Sequence, residues 1–220
     1  MAAELILAGL ASIANDWTAL AIAWHVLLAA MLLLLTAGWR PSARLLGRLL
    51  IPPIFSVSVA AWLSGNPFNA TTFAIVAGVL AWAASRLSTG PIHFAARGWA
   101  SAGVVLIAFG SAYPHFLRTD VWARYLYAAP LGLLPCPTLS VVIGMTVLVD
   151  SLHQPRWCAP LIAAGVIYGG FGVARLGVQL DWALLVASAI LVVIARHSPA
   201  GPAATDPETP MTRWPRAGTT

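Results

Sequence analysis

Pro135-Cys136-Pro137-Thr138 stands at the head of an apolar run in the stretch "YAAPLGLLPCPTLSVVIGM", residues 127–145. A thiol there can be a nucleophile, a metal ligand or a small packed side chain. Few other groups can carry proton or ligand chemistry. His25 lies inside an apolar run, and His115 and Asp120 lie in "YPHFLRTD". A histidine at membrane depth can handle a proton, ligate haem iron, touch a substrate, or bond a backbone carbonyl. His25, His115, Asp120, Cys136 and Thr138 are therefore the candidate residues of a substrate or ion pathway.

The thiol lacks obvious partners. The other cysteine is Cys158. A span between the two puts them on opposite membrane faces, roughly 25–30 Å apart at a helical rise of about 1.5 Å per residue. A disulfide needs Cα atoms within about 7 Å, so no bridge is expected. A closed zinc site needs four ligands, and no CxxC or HExxH is present. GxSxG, the P-loop and the glycine-rich dinucleotide turn are missing too. No catalytic residue is assigned, no metal or cofactor is required, and an enzyme is the less favoured class.

The elements that must position these residues follow from composition. The 220 residues are 60% hydrophobic and 9% charged, with a mean hydropathy of +0.83. A soluble domain carries roughly a quarter charged residues, so this chain cannot cover a water-facing surface. All twelve bases are arginines, placed in short connectors. They read as topology signals, not as a nucleic-acid footprint, which needs a clustered basic face.

Apolar runs place seven transmembrane helices at about residues 18–38, 49–65, 68–87, 98–116, 138–152, 159–177 and 182–197. Asp16 or Thr18 is expected to cap the first, and Pro52-Pro53 to kink the second. Residues 5–14 form a short interfacial helix or extend the first span. The fold class is an all-α integral membrane bundle of about seven helices. It forms one polytopic domain, residues 1–197, followed by a disordered cytoplasmic tail at 198–220 that is rich in Pro, Thr, Gly and Ala.

Nine arginines fall on one side of this arrangement and three on the other. The positive-inside rule then sets the N-terminus outside and the C-terminus in the cytoplasm, in an inner (plasma) membrane. Arg40, Arg44 and Arg48 recur every four residues and read as one basic stripe anchoring a short helix at anionic headgroups. Gly165-xxx-Gly169 reads first as close helix packing within the bundle, then as a homo-oligomer contact. Arg175 and Asp181 read as an outer ion pair across a short turn, and Arg118, Asp120 and Arg124 as a self-pairing loop. Asp150 and His153 share a face near the opposite end of the fifth span.

Residues 125–137 are apolar, yet Pro130, Pro135 and Pro137 forbid one continuous helix. Irregular backbone at membrane depth is tolerated only against protein or a water-filled cavity. The segment is therefore an outer interfacial lid or a shallow re-entrant loop, with Thr138 as N-cap of the fifth span.

The stretches "WTALAIAWHVLLAAMLLLL", "NPFNATTFAIVAGVLAW", "YPHF" and above all "GLLPCPTLSVVIGMTVLV" resemble a family of small bacterial multi-pass membrane proteins, domain of unknown function 6064. The resemblance covers about residues 15–195. It implies a helical membrane protein and supplies no reaction. The middle residue of the Pro-x-Pro varies in that family, which favours a structural role for Cys136.

Three functions are compatible with these residues. One is a small ion or small-solute permease with an outer vestibule over His25. Another is a structural or partner-binding membrane protein without transport. The third is a membrane redox or haem subunit using His25 and His115.

Overall fold

The computed structural model describes residues 3–197; the expected tail at 198–220 lies outside them. Among the described residues all regular structure is helical. Nine α-helices run in chain order: α1 (Ala3–Asp16), α2 (Thr18–Thr36), α3 (Ala43–Leu63), α4 (Pro67–Ala84), α5 (Arg97–Ser111), α6 (Tyr125–Ala128), α7 (Pro135–Leu148), α8 (Pro155–Leu176) and α9 (Trp182–His197). Five segments are long and apolar enough to cross a membrane: α2, α3, α4, α8 and Gln179–His197.

Every expected span contains a helix, but two are short. α5 has 15 residues and α7 has 14, about 22 and 21 Å at 1.5 Å per residue, against a hydrocarbon core of about 30 Å. Helix length alone therefore supports five crossings rather than seven.

α7 is the centre of the bundle. Leu139, Ser140, Val141, Val142, Ile143 and Met145 look in different directions around the helix, and all are buried. A helix apolar on every side has no face to give to water and sits inside. α5, α3, α8 and α9 surround it. The α5–α7 crossing is tight because glycines face backbone. A Cβ on Gly103 would stand 2.7 Å from the Gly144 carbonyl oxygen, and one on Gly110 would stand 2.6 Å from that of Pro137.

α8 packs on α9 in the same way. Gly165 faces Ser188 and Gly169 faces Leu185 and the Asp181 carbonyl, so both glycines are taken up within the chain. Hydrogen bonds lock other pairs: Ser58 Oγ donates to the Ala70 carbonyl at 2.6 Å, and Tyr168 Oη donates to Asn69 Oδ1 at 3.1 Å. Buried Trp157 donates to Thr146 Oγ1 at 3.0 Å.

Several termini differ from expectation. Trp17, not Asp16 or Thr18, is the N-cap of α2, and the Thr18 hydroxyl turns back to the Ala14 and Asn15 carbonyls. α1 is a full helix that buries Leu10, Ile13 and Ala14 against Ala60, Leu133 and Leu134. Ser42 caps α3 by accepting from the Leu45 N–H, and Asn66 caps α4 ahead of Pro67. The basic stripe does not form, because α3 begins only at Ala43. Arg40 donates to the Leu35 carbonyl and lies over the Phe94 ring, while Arg44 donates to the Leu87 carbonyl. Arg48 is exposed.

Candidate functional site

The Pro-Cys-Pro motif lies inside α7, not before it. The helix starts at Pro135 with Leu134 as N-cap, correcting the expected start at Thr138. The physical reason lies in the orphan donors. The first four N–H groups of a helix have no intrahelical partner. Pro135 and Pro137 have no N–H, so two of those four donors do not exist. The Leu134 N–H reaches the Pro130 carbonyl at 3.1 Å, which leaves the Cys136 N–H.

Thr138 thus serves the loop instead of the helix end. Its hydroxyl accepts from the Gly132 N–H at 2.8 Å and donates to the Leu134 carbonyl at 2.7 Å. Residues 128–135 are buried throughout, as irregular apolar backbone requires if protein is to satisfy it. Gly132 has φ +73°, and any Cβ there would fall onto the Trp24 indole. Thr138→Val keeps the shape but strands the buried Gly132 N–H. It is expected to lower stability by about 1–3 kcal/mol, measured by denaturant unfolding in detergent against the wild type.

At the head of α7 lies a cluster that the sequence did not announce. Asp181, in the turn before α9, is only 3% exposed. Its Oδ1 accepts from the phenol of fully buried Tyr113 at 2.7 Å. Its Oδ2 lies where a Cβ on Gly172 would be. The Cys136 thiol and, more distantly, the His115 imidazole face the same carboxyl group. His115 stacks edge-on against Phe116, with centroids 4.1 Å apart, and against Tyr113 at 6.4 Å. One turn along α7 from Cys136, the buried Ser140 hydroxyl has no hydrogen-bond partner among the described residues.

The structure therefore brings together two of the five expected residues, Cys136 and His115, and adds Tyr113 and Asp181. The expected Arg175–Asp181 pair does not form. Asp181 turns into the bundle, whereas Arg175 is exposed near the end of α8. Asp120 is exposed on the loop, and no ion pair joins Arg118, Asp120 and Arg124. His153 does pair with Asp150, at 3.3 Å. Among the described residues no three His, Cys, Asp or Glu side chains are grouped to hold a metal ion. Both cysteines are free.

His25 has a different role. Its Nδ1 lies 2.8 Å from the Ala21 carbonyl and its Nε2 lies 2.8 Å from the Ser111 carbonyl. Ser111 closes α5, so its carbonyl is one of the orphan acceptors of that helix end. His25 ties α2 to the end of α5. A neutral ring donates to one of these oxygens and an imidazolium to both. Neither nitrogen is free for haem iron unless a backbone contact is given up.

Sequence reasoning missed Tyr113 and Asp181 as a pair because 68 residues separate them. The available signal was Asp181 itself, a carboxylate beside an apolar run whose one nearby base, Arg175, stands at a helix end. Protein-family models, curated proteins and solved structures were compared with the chain, and none matches.

Proposed function

We propose that the protein is a small multi-pass membrane permease for an ion or small solute, with the buried Asp181 carboxyl group as its proton- or cation-binding centre. One observation carries this reading: Asp181 is buried with tyrosine, cysteine and histidine around it and, among the described residues, no arginine against it. Carboxylates in such settings are costly and mark ion or proton pathways. Cys136 and Ser140, four residues apart on α7, continue a polar line from the cluster along the central helix. In this reading α5 and α7 complete a seven-helix bundle, residues 128–135 dip into its outer face, and the arginine-rich connectors face the cytoplasm.

The test is proton or cation flux into proteoliposomes under an imposed gradient. Asp181→Asn keeps the acceptor for Tyr113 and removes the titrating oxygen. It is expected to cut flux about tenfold, the consequence of about 1.4 kcal/mol at the rate-limiting step. Tyr113→Phe should give an intermediate loss. Wild-type flux in Asp181→Asn would sink the proposal.

The second reading is a structural membrane protein without transport. His25 favours it, since both its ring nitrogens are engaged with backbone. Under that reading no gradient produces flux through the wild-type protein.

A further inference from the structure

α2 and α3 are consecutive and membrane-length, yet they do not pack against each other along their length. A cleft separates them. One cavity of about 380 Å³ runs from Trp24 to Trp39, walled by α2, α3 and the core helix α7. A second of about 290 Å³ continues from Trp24 to Trp17 and Leu63. Trp24 stands between them and bridges the cleft, donating to Ser56 Oγ at 3.1 Å. From Trp17 to Trp39 the cleft spans about 33 Å of helix at 1.5 Å per residue, comparable with the hydrocarbon core of about 30 Å. The larger cavity covers the two thirds nearer the arginines, about 22 Å, close to the depth of one leaflet with its headgroups. Its walls are almost wholly apolar, so water gains nothing by entering.

The mouth of the larger cavity carries the second observation. On α3 the lining residues Leu49, Pro52, Ser56 and Val59 form one stripe at helical spacing. Arg48 stands next to the lining residue Leu49 and one turn before Pro52, on the same side of α3 as Pro52. Arg40 and Arg44 are bound to backbone carbonyls, whereas Arg48 is exposed with no partner among the described residues. Pro52 and Pro53 also deprive the Arg48 and Leu49 carbonyls of their usual helical donors. A cation and two acceptors thus lie beside the α3 wall of a long apolar slot.

We infer that the α2–α3 cleft is a binding site for one anionic glycerophospholipid. An acyl chain occupies the cavity between Trp24 and Trp39, and the phosphate sits on Arg48. Arginine suits phosphate through its fork of donors. Hydroxyls of a glycerol headgroup match the freed carbonyls. The site is separate from the Asp181 cluster, so its failure and the failure of the proposed flux are read independently.

The experiment is native mass spectrometry of the full chain, delipidated in detergent and titrated with phosphatidylglycerol or with phosphatidylcholine of the same acyl chains. The wild type should retain one phosphatidylglycerol and prefer it to phosphatidylcholine. Arg48→Gln should reduce that preference about fivefold, the scale of one arginine near an anionic headgroup. Ala30→Phe, which fills the cavity, should remove retention of both lipids. The inference is overturned if retention does not saturate at one lipid, or if Arg48→Gln keeps the full preference. It is equally overturned if glycerol phosphate without acyl chains competes as well as the intact lipid, or if a second copy of the chain is retained instead. Arg48 is exposed, so its arm stands even where Ala30→Phe disturbs folding.

Discussion

Gly144→Ala is expected to pry α5 from α7 and to lower the unfolding free energy by about 3 kcal/mol, at the upper end for overpacking a tight core. A Cβ on Gly144 would stand 2.8 Å from the Gly103 carbonyl oxygen and 2.9 Å from the Ile107 nitrogen. These are backbone atoms of a facing helix, so no rotamer change relieves the clash and the helix must move. α7 is central, so the movement disturbs α3, α8 and α9 as well. In a membrane, helices gain little from hydrophobic burial against each other and depend on close contact, which is what small residues allow. Denaturant unfolding in mixed micelles measures the change. Gly78→Ala is the matched control, because nothing lies within 4 Å of a Cβ there. Equal stability of Gly144→Ala and the control would show that the crossing is looser than described.

Gly172→Ala is expected to abolish the Tyr113–Asp181 hydrogen bond and, with it, flux. The added methyl falls onto the Asp181 carboxyl group, which must leave its buried site. The carboxyl then seeks water at the end of α8, and the Tyr113 phenol is left buried without its acceptor. That stranding costs about 1–3 kcal/mol by itself. Gly170→Ala, two residues earlier on the same helix, meets nothing within 4 Å. It should be neutral or stabilising by up to about 1 kcal/mol through helix propensity. The infrared carboxyl band, compared with that of Asp181→Asn, reports the environment of the group directly. An unchanged carboxyl signature and unchanged flux in Gly172→Ala would contradict the placement of Asp181.

Helix positions were legible because apolar runs among so few charges leave little alternative. The starts of α2 and α9 agree with the runs in the sequence. Helix ends were less legible where side chains compete. Thr138 has the chemistry of an N-cap, but α7 already begins at Pro135, so the Ser140 and Val141 N–H groups it would serve lie beyond the first turn and bond within the helix. Its hydroxyl was therefore free for Gly132. The Arg40-Arg44-Arg48 spacing fits one helical face, yet the helix begins after Arg40, and each arginine meets a different fate.

The candidate site was half legible. Cys136 and His115 stood out as scarce reactive groups in apolar surroundings. Their association with Asp181 depended on three connectors folding to one end of the bundle, and no local pattern encodes that. His25 stood out for the same reason and proved to be a clasp on the last carbonyl of α5. Side-chain type tells what a group can do, and only its neighbours decide which capacity is used.

The sequence by itself determined a chain of apolar helices, too apolar for water, with a break at Pro130 ahead of one of them. These are properties of composition and of the backbone's need to satisfy its own hydrogen bonds. Tertiary structure alone decided that α7 is the core, that Asp181 turns inward to Tyr113 rather than outward to Arg175, and that α2 stands off from α3. Those outcomes depend on which glycines let backbones meet and where they leave a gap. That is a matter of packing between distant segments, and it carries no period along the chain.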